Sequence, residues 1–189
     1  DTVSYASSTS KVNVELWRGH SWDDGFGNRD TFDSIENITG SDYNDVLGGI
    51  NGSSTINGGG GNDLIFGMDG DDTIDGGSGV DTINGGTGSD TISGGSGADT
   101  LNGNAGDDTL IGGIGSDTLN GGAGDDIFNG GMGIDSINGG TGTDTVSYAS
   151  STSKVNVELW RGHSWDDGFG NRDTFDSIEN ITGSDYNDV

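Results

Sequence analysis

A nine-residue repeat runs without insertion or deletion through the middle of this chain, as twelve consecutive units from Gly40 to Ser147. Position one is glycine in every unit, position six is aspartate in all but the unit that contains Ser54, and position eight is always apolar. The apolar residues are Leu47, Ile56, Ile65, Ile74, Ile83, Ile92, Leu101, Leu110, Leu119, Phe128, Ile137 and Val146. A repeat this regular is typical of solenoids, in which each unit stacks on its neighbours to bury one continuous core.

Each unit is predicted to form one turn and one short strand. The last three residues alternate polar, apolar and polar, as a strand with one inward side chain does, and the first six form the turn. Glycines at positions one, two and four permit positive φ and let backbone carbonyls point at an ion, while the position-six aspartate adds a charged ligand. Two units make one coil of about 18 residues, and coils stacked roughly 4.8 Å apart form a thin core between two facing sheets.

The composition indicates that more than a hydrophobic core must stabilise the fold. Only 28% of the 189 residues are hydrophobic, 40 are glycine, and the formal net charge is -26. Burial alone cannot offset the conformational entropy of such a chain. Of the 32 acidic residues 28 are aspartate, a hard oxygen donor suited to calcium, and there is no cysteine for disulfides or thiolate metal sites. The acidic surface would repel nucleic acid and anionic membranes, and no apolar run approaches a membrane span, so we expect neither partner.

A longer repeat is an identity, because residues 144–189 copy residues 1–46 without a change, so that one period extends from Asp1 to Thr143. We therefore interpret the sequence as a window on a longer tandem array, with an engineered duplication as the alternative. In this division residues 1–4 end one repeat block, 5–39 are a spacer, 40–147 are the nonapeptides, 148–182 are the second spacer copy, and 183–189 begin the next block.

The nonapeptide, which reads G-G-x-G-x-D-x-U-x with U apolar, resembles the RTX (repeats-in-toxin) calcium-binding repeat, and ten units from Gly58 to Ser147 fit it closely. The resemblance implies an all-β fold, a right-handed parallel β-roll (β-helix solenoid) with calcium ions between stacked turns. The chain departs from the pattern at Tyr43, Ser54, Met68 and Asn104, so we expect the two earliest units to hold calcium poorly or not at all.

In RTX proteins each ion is held between two loops on the same edge of the roll, so the resemblance implies that aspartates two units apart share ions. These aspartates are Asp63, Asp81, Asp99, Asp117 and Asp135 on one edge, and Asp72, Asp90, Asp108, Asp126 and Asp144 on the other. The resemblance adds carbonyls from the glycine positions of the same loops, at Gly77, Gly79, Gly86, Gly88, Gly95, Gly97, Gly106, Gly113, Gly115, Gly122 and Gly124. About eight calcium ions would then bind, and binding and folding would be one coupled event. We interpret the further aspartates, Asp69, Asp71, Asp75, Asp107 and Asp125, as solvated surface charge.

The spacers lack the nonapeptide but resemble the segments between RTX blocks, through the elements Y-x-x-S, V-x-V-x-L and D-x-F-x-x-I-E-N-I-x-G-S. Each spacer is about as long as two coils. The strand alternation of 155–159 predicts that the solenoid continues through it and bulges at the loop 160–172. One period is then about eight coils, or roughly 38 Å of rod.

All six basic residues, all four tryptophans and both histidines fall in the spacers, which is where we place any recognition surface. The candidates are Trp160, Arg161 and Trp165, with their copies Trp17, Arg18 and Trp22. They could stack on a sugar of a cell-surface glycan or dock a protein through aromatic and arginine anchors. The alternative is that a tryptophan covers an exposed end of the thin core and that the arginine balances part of the negative charge of the acidic surface.

Catalytic motifs do not occur at the spacings that their chemistry needs. There is no H-E-x-x-H, the stretch 162–166 lacks the final glycine of G-x-S-x-G, and the glycine loops carry aspartate where a phosphate-binding loop needs lysine and a hydroxyl. We therefore expect no catalytic residues and no enzyme activity.

The resemblance implies instead a calcium-dependent structural repeat of a secreted bacterial protein, kept unfolded during one-step (type I) secretion and folded outside the cell. Such arrays look like adhesin stalks, surface-layer elements or extracellular fibres, and neighbouring copies of the chain are the expected partners. One alternative is an accessory module of an exported polysaccharide-modifying enzyme or protease. A less favoured alternative is an ice-binding solenoid, suggested by stacked rows of threonine and asparagine such as Thr82 and Asn84.

Overall fold

The structure, a computed structural model, describes all 189 residues and contains twenty β-strands and two short 3-10 turns. In chain order, strands β1 to β20 are Thr2–Ser4, Asn13–Glu15, His20–Asp23, Asn37–Thr39, Val46–Gly48, Thr55–Gly60, Leu64–Asp69, Thr73–Ser78, Thr82–Thr87, Thr91–Ser96, Thr100–Ala105, Thr109–Ile114, Thr118–Ala123, Ile127–Met132, Ser136–Thr141, Thr145–Ser147, Asn156–Glu158, His163–Asp166, Thr174–Asp176 and Asn180–Thr182. The 3-10 turns are Leu16–Arg18 and Leu159–Arg161. No helix has the length and apolar character that crossing a bilayer requires.

The strands form two sheets. Sheet one has the order β1-β4-β6-β8-β10-β12-β14-β16-β20, and sheet two the order β17-β18-β19-β15-β13-β11-β9-β7-β5-β2-β3. Strands of consecutive nonapeptides alternate between the two sheets, and each pairs in parallel with the strand two nonapeptides further on, so that Ile74 lies beside Ile92. The fold is an all-β parallel solenoid of about six turns, which confirms the predicted β-roll.

The position-eight side chains of all twelve units form the core, and none is more than 2% exposed. Position one lies beside this core and has no room for a side chain. A Cβ added at Gly76 would stand 2.5 Å from Oδ2 of Asp81 and 2.8 Å from the carbonyl oxygen of Gly94. Glycine at position one therefore allows the aspartate of the same unit to fold back over the backbone.

The repeat strands are longer than the sequence predicts. A full strand comprises positions seven to nine and the first three positions of the next unit, so the turn is reduced to positions four to six. The glycine-rich positions stay in the sheet because they pair with the next coil, as Gly77 does with Gly95. The predicted turn over positions one to six is therefore wrong.

The roll continues through both spacers, but each spacer contributes one coil and a hairpin instead of two coils. Strand β19 pairs in parallel with β15, and β20 pairs in parallel with β16. The alternating segment 155–159 contains β17, which pairs antiparallel with β18 to make the hairpin. The same hairpin, β2 with β3, occurs in the first copy. The loop 160–172 that was predicted to bulge thus contributes a strand to sheet two.

The hairpin makes the two sheets advance unequally over one period of the sequence. From β1 to its copy β16, sheet one advances by seven strands. From β2 to its copy β17, sheet two advances by nine strands, because β18 and β17 are added after β19. The predicted value of eight coils per period is the mean of these two numbers of strands, seven and nine.

Candidate metal centre

The position-six aspartates stack along the two edges of the roll. Within each edge the backbone N–H of one aspartate donates to Oδ1 of the aspartate two units later, as Asp81 does to Asp99 at 2.8 Å. One edge continues through Asp63, Asp81, Asp99, Asp117 and Asp135, and the other through Asp72, Asp90, Asp108, Asp126 and Asp144. The structure thus places side by side the aspartates that the sequence pairs.

The second carboxylate oxygen of these aspartates has no partner within the protein. In all ten residues Oδ2 is buried and accepts no hydrogen bond, and each residue is at most 2% exposed. A buried anionic oxygen without a partner is costly, and native proteins almost always satisfy such groups with a hydrogen bond or a metal ion. Ten identical unpartnered oxygens at the same repeat position therefore fit a site for cations.

The first nonapeptide, which was predicted to hold calcium poorly, differs from the ten later units at its aspartate. Ser41 occupies position two there, and both its backbone N–H and its hydroxyl donate to the Asp45 carboxylate, at 2.6 to 3.0 Å. The Asp45 carboxylate therefore has no unpartnered oxygen. In the next unit the Ser54 hydroxyl replaces the carboxylate altogether.

The glycine carbonyls supply further oxygen donors on the same loops. A Cβ added at Gly97 would stand 1.5 Å from the carbonyl oxygen of Gly79, so the position-four carbonyl points along the roll axis at the next coil. From Gly61 to Gly133, these position-four carbonyls accept no hydrogen bond. All the glycines named above as candidate ligands have positive φ, between 97° and 152°. Nowhere do three acidic or histidine side chains converge, so backbone carbonyl or water oxygens would have to complete the coordination of any ion here.

Burial is the main cause of a rise in pKa at every one of these aspartates, and neighbouring carboxylates add to it at most of them. The pKa rises from 3.8 to about 7 at Asp63, Asp72, Asp108 and Asp135. It rises to about 6 at Asp81, Asp117 and Asp126. The pKa is also raised at Asp90, Asp99 and Asp144. The metal-free roll therefore disfavours the charged form that a metal ion would stabilise.

We expect acid to substitute in part for metal. A carboxyl whose folded-state pKa lies above its unfolded value favours folding below about pH 4, and this contribution is lost as the pH rises through about 6 to 7. The metal-free chain should therefore show more strand structure at pH 4 than at pH 7.5, measured by far-ultraviolet circular dichroism in buffer stripped of divalent cations. Equal strand content at the two pH values would contradict this assignment.

Comparison with known families agrees with this geometry. The profile of the RTX calcium-binding nonapeptide repeat matches residues 48–83, 75–110, 84–119, 102–137 and 111–146, which together cover more than half of the chain. The chain belongs to the RTX family. A search of curated proteins found no match.

RTX repeats imply calcium binding. The carboxylate and carbonyl oxygens of these loops are hard ligands of the kind that calcium takes in sets of six to eight. Bound calcium would supply positive charge between the stacked carboxylates, and the number of ions and the individual ligands stay predictions.

The outer aspartates of the RTX turns are more ordered than expected. Oδ1 of Asp71 accepts the N–H of Ser89 at 2.9 Å, and Oδ1 of Asp107 accepts the N–H of Asp125 at 2.9 Å. At position five these exposed side chains therefore link successive coils. Asn62, which accepts the N–H of Val80, does the same without a charge. Because the sequence is so acidic, these aspartates were interpreted as surface charge alone. Their role as acceptors for the N–H of the next coil is one that asparagine also fills.

The spacer aromatics lie on the hairpin and its 3-10 turn. The Arg18 guanidinium lies 4.3 Å from the Trp17 ring and the Arg29 guanidinium 4.6 Å from the Trp22 ring, while Trp22 Nε1 donates to Glu15 at 2.7 Å. The second copy repeats these contacts with Trp160, Arg161 and Trp165. Sequence reasoning missed Arg29 and its copy, which stack on the tryptophans from the far side of the loop.

A cleft of about 230 Å³ beside Trp22 is lined by Lys11, Val12, Asn13, Asp23, Asn44 and Val46. A recognition role for this cluster stays a prediction.

Proposed function

We propose that this chain is a calcium-loaded structural element of an exported bacterial surface protein, in which RTX blocks and spacers alternate to form a stalk or fibre. The observation that supports the proposal is that the roll passes through the spacer without losing its edge contacts. The N–H of Asp135 donates to Asp173 of the spacer coil at 3.1 Å, and that of Asp144 donates to Glu179 at 2.9 Å. The two spacer residues thus take the place of position-six aspartates.

The two copies also make the same contact with the following block. Val12 N–H donates to Asp45 at 2.7 Å, and its copy Val155 donates to Asp188 at 2.9 Å. A further period would therefore find the same strands and acceptors at each joint. A rod can lengthen in this way by adding copies, which is the property that a stalk needs.

The proposed location follows from the calcium requirement. RTX repeats typically belong to secreted proteins. Outside a cell, calcium at millimolar concentration would load the sites, whereas inside the cell the ten buried carboxylates would keep the chain unfolded. This difference suits export of an unfolded chain through a one-step channel, followed by folding outside.

Two other functions have weaker support. An accessory module of an exported enzyme would also fold with calcium, but it has no need of identical copies of residues 1–46. An ice-binding surface is suggested by the row Thr82, Thr100 and Thr118, which are paired in register. The adjacent asparagines, however, bond to one another, Asn120 to Asn102 at 3.0 Å, and so turn part of their hydrogen-bonding capacity away from solvent.

Chains of one, two and four periods would test the proposal. In calcium, electron microscopy should show rods whose contour length grows by roughly 38 Å per added period. In excess chelator the rods should be absent. Compact particles whose length does not follow the number of periods would contradict a stalk and favour the accessory module.

A further inference from the structure

Both edges of the roll contain a row of buried aspartates, but the outward side chains of their turns differ. These side chains come from positions three and five of each nonapeptide, on either side of position four. On the edge that contains Asp72 they include four exposed carboxylates, at Asp69, Asp71, Asp107 and Asp125. On the edge that contains Asp81, none of them is charged between residues 60 and 134. Over these coils the exposed negative charge of the turns therefore lies on one edge.

Apolar side chains occupy the same positions on the edge that contains Asp81. They are Val80, Ala98, Ile114, Met132 and Ile134, and together they are called the apolar edge below. All five residues are exposed, and the four larger side chains are each between 49% and 61% exposed. A single exposed apolar residue is normal on a soluble protein, whereas a contiguous row indicates a surface that another molecule covers.

Backbone contacts between coils make this row contiguous. Ile114 lies in register beside Met132 on the neighbouring strand of sheet one, and the N–H of Gly115 donates to the Met132 carbonyl oxygen at 2.8 Å. Ile134 follows Met132 by two residues, and its N–H donates to the hydroxyl oxygen of Ser116 in the preceding coil at 3.3 Å. The three large side chains Ile114, Met132 and Ile134 therefore belong to adjoining turns.

We propose that the apolar edge binds the same edge of a second copy of this chain, so that two rods associate side by side. The inference rests on the proposed rod and names the surface through which rods meet. With a net charge of -26, two copies repel one another wherever their exposed aspartates approach. A contact of like edges about a two-fold axis instead brings apolar side chains together and keeps the carboxylates of the opposite edge away from the interface.

The size of the patch predicts that one contact alone is weak. The four turns 79–81, 97–99, 115–117 and 133–135 give a patch of roughly 19 by 10 Å, so two copies would bury about 400 Å² in total. A stable interface buries about 1,200 Å² or more. Several patches must therefore act together to hold two rods.

The repetition of the chain supplies several patches and favours a second copy over an unrelated partner. In a tandem array the apolar edge recurs once per period, and the patches of a second copy recur at the same interval. Once one pair of patches has met, the linked patches meet at high effective concentration and bind as one unit. Association should therefore rise steeply with the number of periods.

The test compares matched charge insertions in a chain of four periods in calcium. Met132→Asp together with Ile134→Asp, in every period, places two carboxylates on the apolar edge. Thr141→Asp together with Thr143→Asp places the same charges at the same repeat positions on the opposite edge. Both changes suit the turn, because positions three and five already carry aspartate elsewhere in the roll.

Analytical ultracentrifugation should show the unaltered four-period chain as pairs at micromolar concentration, and the 189-residue chain, with its single apolar edge, as a monomer. The apolar-edge variant should raise the concentration at which half of the chains are paired by at least about a hundredfold, because like charges meet in every period. The opposite-edge variant should pair as the unaltered chain does. Equal effects of the two variants, or an unaltered four-period chain that stays single, would overturn the proposal.

A second measurement uses the unaltered four-period chain and so does not depend on the folding of either variant. Salt screens the repulsion between acidic rods but does not weaken apolar contacts. Pairing should therefore strengthen when sodium chloride is raised from about 0.1 to about 0.5 M in saturating calcium. Pairing that weakens would mean that charged groups hold the rods together, against the proposal. Failure of the proposed rod would differ, because electron microscopy would then show no lengthening with added periods.

Discussion

Chelation of calcium is expected to abolish most of the strand signal of this chain and leave an expanded coil. Along the two edges, eight pairs of neighbouring carboxylates are stacked with their free oxygens buried. At roughly 5 Å and an effective dielectric constant of about 20, each ionised pair repels by about 3 kcal/mol. The sum exceeds the roughly 5–15 kcal/mol that ordinarily stabilises a domain, as an order-of-magnitude estimate. The thin core of one apolar side chain per nonapeptide cannot offset it.

Far-ultraviolet circular dichroism at pH 7.5 would check this expectation, first in excess chelator and then during titration with calcium. Magnesium is the control ion, because it demands a near-ideal octahedral site at short distances and gives up its water reluctantly. It should restore little strand structure at the same concentration. A strand signal of equal size in chelator and in calcium would refute coupled binding and folding.

A matched pair of variants separates ion binding from general charge. Asp99 lies between Asp81 and Asp117, so its carboxylate faces two loops, whereas Asp75 is exposed at position nine, where Asn84 stands in the next unit. Asp99→Asn should weaken calcium binding at these loops by on the order of tenfold, equivalent to ~1.4 kcal/mol. Asp75→Asn removes the same charge and should leave the calcium midpoint unchanged. Equal shifts would mean that only net charge matters.

The regular part of the fold could be predicted because each side chain recurs at a fixed interval. Ile74, Ile92 and Leu110 are separated by two nonapeptides each and lie beside one another in sheet one. The same interval brought the aspartates of each edge together. The extent of the strands was less predictable, because glycine at positions one to three suggests a turn locally, while the pairing of Gly77 with Gly95 depends on the neighbouring coil.

The spacer could be predicted only in part because it has no internal period. Alternation in 155–159 correctly indicates a strand, but it does not specify whether the partner is parallel or antiparallel. The replacement of position-six aspartate by Asp173 and Glu179 could not be predicted either, since neither residue follows its partner at the interval of two nonapeptides that relates the repeat aspartates. Only the three-dimensional pairing reveals that they occupy equivalent places.

Rods of several periods are expected to bend at every spacer. Sheet one advances by seven strands per period and sheet two by nine. At a spacing of roughly 4.8 Å the two sheets would measure about 34 and 43 Å, and they lie roughly 10 Å apart. If strand spacing is kept on both sides, this difference of about 10 Å bends the rod by up to about one radian per period, with sheet two on the outer side. Electron microscopy of four-period chains in calcium should therefore show arcs or a superhelix.

A variant without the hairpins provides the matched control. Replacing residues 148–172, and the corresponding residues of every other spacer, by Gly-Gly-Ser-Gly-Ser supplies the first five positions of a nonapeptide. Asp173 then stands at position six and β19 at positions seven to nine, so both sheets advance by seven strands. Such chains should be straight and about 34 Å long per period. Wild-type rods as straight as those of the variant would contradict the predicted bend. The hairpin would then lie outside the stack of coils, and β17 and β18 would not add two full strand spacings to sheet two.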